Sequence, residues 1–261
     1  MRTFGAVLQA LREHAGLSRE EFGDLVGFSK HTVASVELGR RMPDVVLVER
    51  GEEATGNTGA LRKSFPKLAR QPGLAAWFRQ WAALEQMAIT LYTYECRMVP
   101  GLLQTEAYAR ALFVGQLPPL DDAQIEERWT ARAERQKLLR ERPNTAFSFI
   151  LEEHLFLRRT GGIDVTRELI DHVLEIGTLR NVDIQLMPLA HGTHAGLAGP
   201  MQLLETPEIR RFAYNESQRA GLFISDPQEI SVLHRRYATM RSQALTLQDS
   251  VSLLERMRGD L

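Results

Sequence analysis

The chain has 261 residues, 44% of them hydrophobic and 25% charged, with 32 Lys and Arg balanced by 33 Asp and Glu. This is the composition of an ordinary globular protein with room for two domains. No apolar run approaches the roughly 20 residues that a membrane helix requires, and the single Cys96 excludes an internal disulfide and is expected to be a small, buried or half-buried residue.

In chain order, the first 16 residues carry Phe4, Val7, Leu8 and Leu11 at helical spacing. This is the pattern of an amphipathic helix rather than of a signal peptide, so the expected compartment is the cytoplasm. Ser18 followed by Glu21 forms a capping box that opens a second helix, and Gly27 permits the left-handed turn that closes it. Ser29 caps a third helix that stops at Gly39. The turn between them is short, so the two helices must cross steeply and the later one projects from the surface. Its expected buried stripe is Val33 and Val36 against Phe22, Leu25 and Val26, with Gly23 allowing close backbone approach. Lys30, His31, Ala34 and Ser35 are left facing outward. Val45, Val46, Leu47 and Val48 supply the apolar side of a following helix.

Residues 4–54 resemble the Cro and lambda-repressor-like (XRE-type) helix-turn-helix family. The resemblance implies a five-helix DNA-binding domain in which Lys30, His31 and Ser35 face base edges in the major groove and Ala34 meets a thymine methyl. It also implies phosphate contacts from Arg19, Thr32, Arg40 and Arg41. Leu38, where the family often has a polar residue, and Gly23, where it usually has alanine, depart from the pattern. Over residues 1–55 seven Lys and Arg face nine carboxylates, so positive charge must be local. Lys30, Arg40 and Arg41 are expected at the reading end, and Glu49, Glu52 and Glu53 on the far helix.

The helix-breaking run Thr55, Gly56, Asn57, Thr58 and Gly59 marks a boundary, which divides the chain into a domain at 1–55, a linker at 56–76 and a larger domain at 77–261. Arg62, Lys63, Lys67 and Arg70 suit either a solvated helix face or a linker lying along phosphate. Trp77, Phe78, Trp81, Leu84 and Ala88 then recur at helical spacing as a core face, and a helix is expected over 102–114. Residues 121–142 alternate acids and bases as in an exposed helix. Strand patterns begin after Pro143, at 146–151, 182–186, 201–204, 211–214 and 222–224, with a helix over 166–179 and further helices from Asp226 and Thr246. The expected fold is therefore mainly α with an α+β C-terminal part.

From about residue 77 to 257 the chain resembles the C-terminal domain of actinobacterial antitoxin-like transcriptional regulators of the XRE type. The residues that carry this are Val99 to Thr105 with Tyr108, Ala109 and Arg110, then Leu151, Glu152, Glu153, Leu155 and Arg158, then Gln185 to Leu189 with Ala195 and Gly196. The resemblance implies a repressor or activator with a small partner protein often encoded nearby.

Enzyme chemistry finds little support. The chain lacks the His-Glu-x-x-His of a zinc peptidase, offering only Glu152, Glu153 and His154. His191 and His194 sit in a Gly-rich loop with no cysteine nearby and no evident third ligand, so no metal and no cofactor is expected. Lys137 is the sole lysine for a Ser-Lys dyad and lies in the charged helix. Glu152 and Glu153, adjacent on a strand, point to opposite faces and suit an ordinary salt bridge, one of them orienting Arg158 or the arginine of a partner protein, better than paired catalysis. The expectation is a non-enzymatic, dimeric regulator of double-stranded DNA, modulated by a small partner protein or ligand. The rival is an antitoxin-like interaction module that sequesters another protein.

Overall fold

The computed structural model describes residues 2–39, 41, 43–65, 78–216 and 221–261. The chain divides into two compact units, Met1–Gln71 and Pro72–Leu261. Arg40, Lys67, Arg70 and Trp77 lie outside the described residues.

The first unit is five helices: α1 (Arg2–His14), α2 (Arg19–Val26), α3 (Lys30–Glu37), α4 (Val45–Ala54) and α5 (Ala60–Ser64). Their core is Phe4, Leu8, Phe22, Val26, Val33, Val36, Leu47, Val48 and Leu61. Leu25, expected in this core, is 57% exposed. In so short a helix the inward stripe is Phe22, Gly23 and Val26, and at about 100° per residue Leu25 is turned off it. Val45 and Val46 are also exposed, because α4 turns Leu47, Val48, Gly51 and Glu52 inward. The helix-breaking turn at 55–59 does not end the packed unit. Leu61 of α5 closes the core, and Arg62 pairs with Glu49 at 2.6 Å rather than standing free.

The second unit is built on a mixed six-stranded sheet. Its strands are β1 (Thr90–Glu95), β2 (Ala146–Glu152), β3 (Val182–Met187), β4 (Met201–Glu205), β5 (Arg211–Glu216) and β6 (Gly221–Ile224), in the order β3-β2-β1-β4-β5-β6. β1 is central, parallel to β2 and antiparallel to β4, and β2 is parallel to β3. Parallel neighbours need helical crossovers. They are α7 (Glu106–Val114), α8 (Asp122–Gln136) and α9 (Leu138–Glu141) between β1 and β2, then α10 (His154–Leu157) and α11 (Ile163–Ile176) between β2 and β3. α6 (Arg79–Glu85) precedes the sheet, and α12 (Pro227–Gln243) and α13 (Leu247–Gly259) follow it.

Both faces of the sheet are covered, so β2 is buried from Phe147 to Glu152 instead of alternating. One face sets Leu91, Phe149, Leu151 and Tyr214 against Trp81, Tyr108, Ile170 and Leu254. The other sets Tyr94, Ile150 and Leu203 against Ile230, Tyr237 and Met240 of α12.

The helical N-terminal domain and the mixed C-terminal one agree with the expected fold class. Strands, however, do not begin after Pro143, since β1 already lies at 90–95. Residues 121–142 are not a uniformly exposed helix: Ile125, Leu138 and Leu139 are buried and Arg135 reaches inward. The expected helix at 102–114 is broken, because Thr105 caps α7 and leaves Gly101–Leu103 as a separate 3-10 turn.

Candidate nucleic-acid interface

The interface is built by two capped helices. Ser18 accepts from the Glu21 amide while Glu21 reaches back to the Ser18 amide, and Ser29 accepts from the Thr32 amide at 3.2 Å. Gly27 takes φ 81, a left-handed conformation that a side chain would strain. Gly23 is required for packing: a Cβ there would lie 2.4 Å from the Phe28 carbonyl oxygen.

On α3, Val33, Val36 and Glu37 face inward. Lys30, His31, Ala34 and Ser35 share the opposite side, the first two exposed and the last two half-buried. Lys30 lies 3.4 Å from Glu20 at the outer edge of α2, a weak exposed contact that leaves the ammonium accessible. The Arg41 amide donates to the Ser35 carbonyl at 3.1 Å, and its exposed guanidinium approaches the Thr32 hydroxyl at 3.5 Å. Arg41 is thus drawn to the side of the first turns of α3. Thr32 is half-buried, and its hydroxyl also meets that of Ser29 at 3.1 Å.

Arg19 is the residue whose setting differs most from the sequence pattern. Its Nε donates to Glu37 at 2.6 Å, so one edge of the guanidinium holds the end of α3. Glu37 is buried and also accepts from Arg12 at 2.5 Å, while Arg12 donates to the Leu17 carbonyl at 2.6 Å. The Glu37 hydrogen bond raises the Arg12 guanidinium further above its ordinary pKa, against the opposing effect of burial. This buried Arg12, Glu37 and Arg19 group joins three helices and fixes how α3 projects. The inward placing of Arg12 and Glu37 could have been found in the sequence, because Arg12 continues the stripe of Phe4 and Leu8, and Glu37 continues that of Val33; their meeting with Arg19 depends on how the helices cross.

Glu52 is also buried, rather than standing on a far acidic face. It accepts from the amides of Gly59 at 2.7 Å and Arg62 at 2.8 Å and from the Thr58 hydroxyl at 3.0 Å, capping α5. Burial alone would raise its pKa; the hydrogen bonds from Arg62, Thr58, Gly59 and Leu61 outweigh this and hold it low.

In the larger unit the remaining candidates separate. Glu152 is buried, accepts from the Tyr94 hydroxyl at 2.7 Å and lies 3.3 Å from His194. Glu153 accepts from the Leu189 amide at 2.8 Å. Their partners are therefore not Arg158, which is exposed. His191 is exposed, and among the described residues no three His, Cys, Asp or Glu side chains come together as metal ligands. Cys96 is half-buried, and desolvation raises its thiol pKa, which suppresses the thiolate.

With this geometry in hand, family comparison gives two matches. Residues 3–65 match a helix-turn-helix domain. Residues 78–256 match the domain of unknown function DUF5753. The chain belongs to the DUF5753 family. Its DUF5753 domain takes in the whole six-stranded sheet, and the helix-turn-helix match spans α1 to α5 apart from the first residue of α1. No curated protein and no solved structure matches the chain. The N-terminal domain supports a DNA-binding regulator of the XRE-like type, and no described helix is long and apolar enough to cross a membrane.

Proposed function

We propose that this protein is a sequence-specific, dimeric transcriptional regulator of the cytoplasm that binds and does not catalyse. Lys30, His31, Ala34 and Ser35 read base edges, and Arg19, Thr32, Arg40 and Arg41 contact phosphate. The supporting observation is the outward face of α3, where Lys30 and His31 stand exposed at the capped end of a helix anchored from behind by Glu37. The N-terminal ends of recognition helices meet base edges in such domains.

A single such helix reads only a few base pairs, so specificity in a genome calls for two copies on half-sites about one helical turn apart. The DUF5753 domain supplies the two-fold contact in this proposal and receives a modulating ligand or small partner protein. Sedimentation of the full chain, with titration of duplexes bearing one or two half-sites, tests this assembly. A dimer that prefers two half-sites on the order of a hundredfold is expected. A monomer, or equal affinity for both duplexes, overturns it.

A further inference from the structure

Two arginines of α8, Arg132 and Arg135, lie beside the turn at 100–103. A Cβ at Gly101 would lie in van der Waals contact with both, 3.4 Å from Arg132 Nε and 3.7 Å from Arg135 Nη1, which places the two guanidiniums against this turn. Gln136 pins the same turn by donating to the carbonyls of Gly101 at 2.8 Å and Gln104 at 2.7 Å. Arg128 lies one helical turn before Arg132 on the same side of α8.

These arginines differ in how their charge is met. Arg135 holds the buried Glu85 through Nε and Nη2, both at 2.9 Å. Arg97, in the segment after β1, holds Glu95 in the same bidentate manner at 3.1 Å. Arg132 instead donates to the neutral amide of Gln104 and lies 4.7 Å over the Phe113 ring. Arg128 donates to the amide of Gln116 at 2.5 Å. Among the described residues neither Arg132 nor Arg128 forms an ion pair with a carboxylate. Glu216 exerts the main attractive field on Arg132 and has interactions of its own.

A charge removed from water is costly unless a counter-charge meets it. Desolvation, with repulsion from Arg135 and Arg128, lowers Arg132 to a pKa of about 10, so it stays charged at neutral pH. A guanidinium has five N–H donors, and the one described hydrogen bond of Arg132 engages only Nη1. An incoming anion supplies a direct counter-charge, where Glu216 acts on Arg132 only through its field among the described contacts, and acceptors for the other N–H groups.

We propose that Arg132, beside the Gly101 turn, and Arg128, one helical turn before it on α8, form a site for the phosphate or carboxylate group of a small anionic ligand. The site gives a chemical class to the modulating input of the proposed regulator. It rests on that function only for its purpose, and anion binding is measured without DNA, so either can fail alone.

The test titrates the full chain with inorganic phosphate and with malonate, against chloride at matched ionic strength. It follows thermal unfolding and the Nε–H resonance of Arg132. Wild type is expected to show a saturable rise in unfolding temperature and a shift of that resonance with at least one of the two anions. A response to phosphate alone assigns a phosphate ligand, and a response to malonate alone a carboxylate. Arg132→Gln should weaken the apparent affinity about tenfold or more, while Arg142→Gln, at an exposed arginine, leaves it unchanged. Arg132→Met separates ligand binding from simple packing. Removing a charge that no carboxylate holds in an ion pair should leave the unfolding temperature in chloride unchanged or raised, whereas a structural tie to Gln104 would lower it in every salt. No saturable response in wild type, an equal response in Arg132→Gln, or a lowered unfolding temperature of Arg132→Met in chloride overturns the proposal.

Discussion

The two domains bury charge over different distances. In the helix-turn-helix domain Glu52 finds its partners 6 to 10 residues away, and Glu37 finds Arg12 and Arg19 at separations of 25 and 18. In the DUF5753 domain Arg135 meets Glu85 across 50 residues, and Tyr94 meets Glu152 across 58. The small domain places its ions with helix caps and adjacent helices. The large one pairs Arg97 with Glu95 locally, but its most buried partners, Arg135 with Glu85 and Tyr94 with Glu152, meet only once distant elements have packed, and among the described residues Arg132 forms no ion pair. Glu52 in the first is satisfied by local sequence and Glu37 by neighbouring helices, whereas Glu85 and Glu152 in the second report long-range topology.

The comparison breaks most visibly at the long-range pair. Glu85→Ala leaves Arg135 in the interior without its carboxylate and takes the acceptor from the Trp81 indole. The expected loss is about 3–5 kcal/mol, read from urea unfolding followed in the large domain. A Glu85→Met, Arg135→Met double variant should recover most of it. A loss below about 1 kcal/mol would show that the pair is solvated and the contrast between domains unfounded.

Glu52→Gln probes the local counterpart and should cost about 1–3 kcal/mol, because a buried acceptor of charge-assisted hydrogen bonds becomes a neutral amide. Its pKa is depressed in the folded state. The stabilisation is therefore full above the ordinary carboxylate range and fades as pH falls through the lower folded value. The acid limb of the stability profile should flatten in the variant. An unchanged acid limb would place the titration elsewhere.

The smallest expected effect is at the recognition helix. Ser29→Ala removes the bond to the Thr32 amide and should cost about 1 kcal/mol of domain stability. Exchange of the first α3 amides should quicken before that of α2. Equal quickening throughout the domain would mean that α3 has no separate stability for the cap to supply.

The same contrast explains what could be read in the sequence. Ser18, Glu21, Gly27 and Ser29 act within a few residues of themselves, so the helix-turn-helix was legible to its caps, and five of the six strands showed as apolar runs. β1 did not, because Thr90, Tyr92 and Thr93 give it a polar look although parallel and antiparallel neighbours cover both of its edges. The outward residues of α3 followed from its periodicity. The engagement of Arg19 by Glu37 did not, since it depends on how α1, α2 and α3 cross.

The central claim is that the outward face of α3 reads DNA sequence. Selection of bound duplexes from a randomised library by the full chain, repeated with His31→Ala and Ser35→Ala, tests it most directly. Wild type should enrich two half-sites about one helical turn apart, and each variant should lose preference at particular bases at a cost of about 1–3 kcal/mol while binding other positions normally. Enrichment of no sequence by the wild type, or the same preferred sequence in all three proteins, would contradict the account.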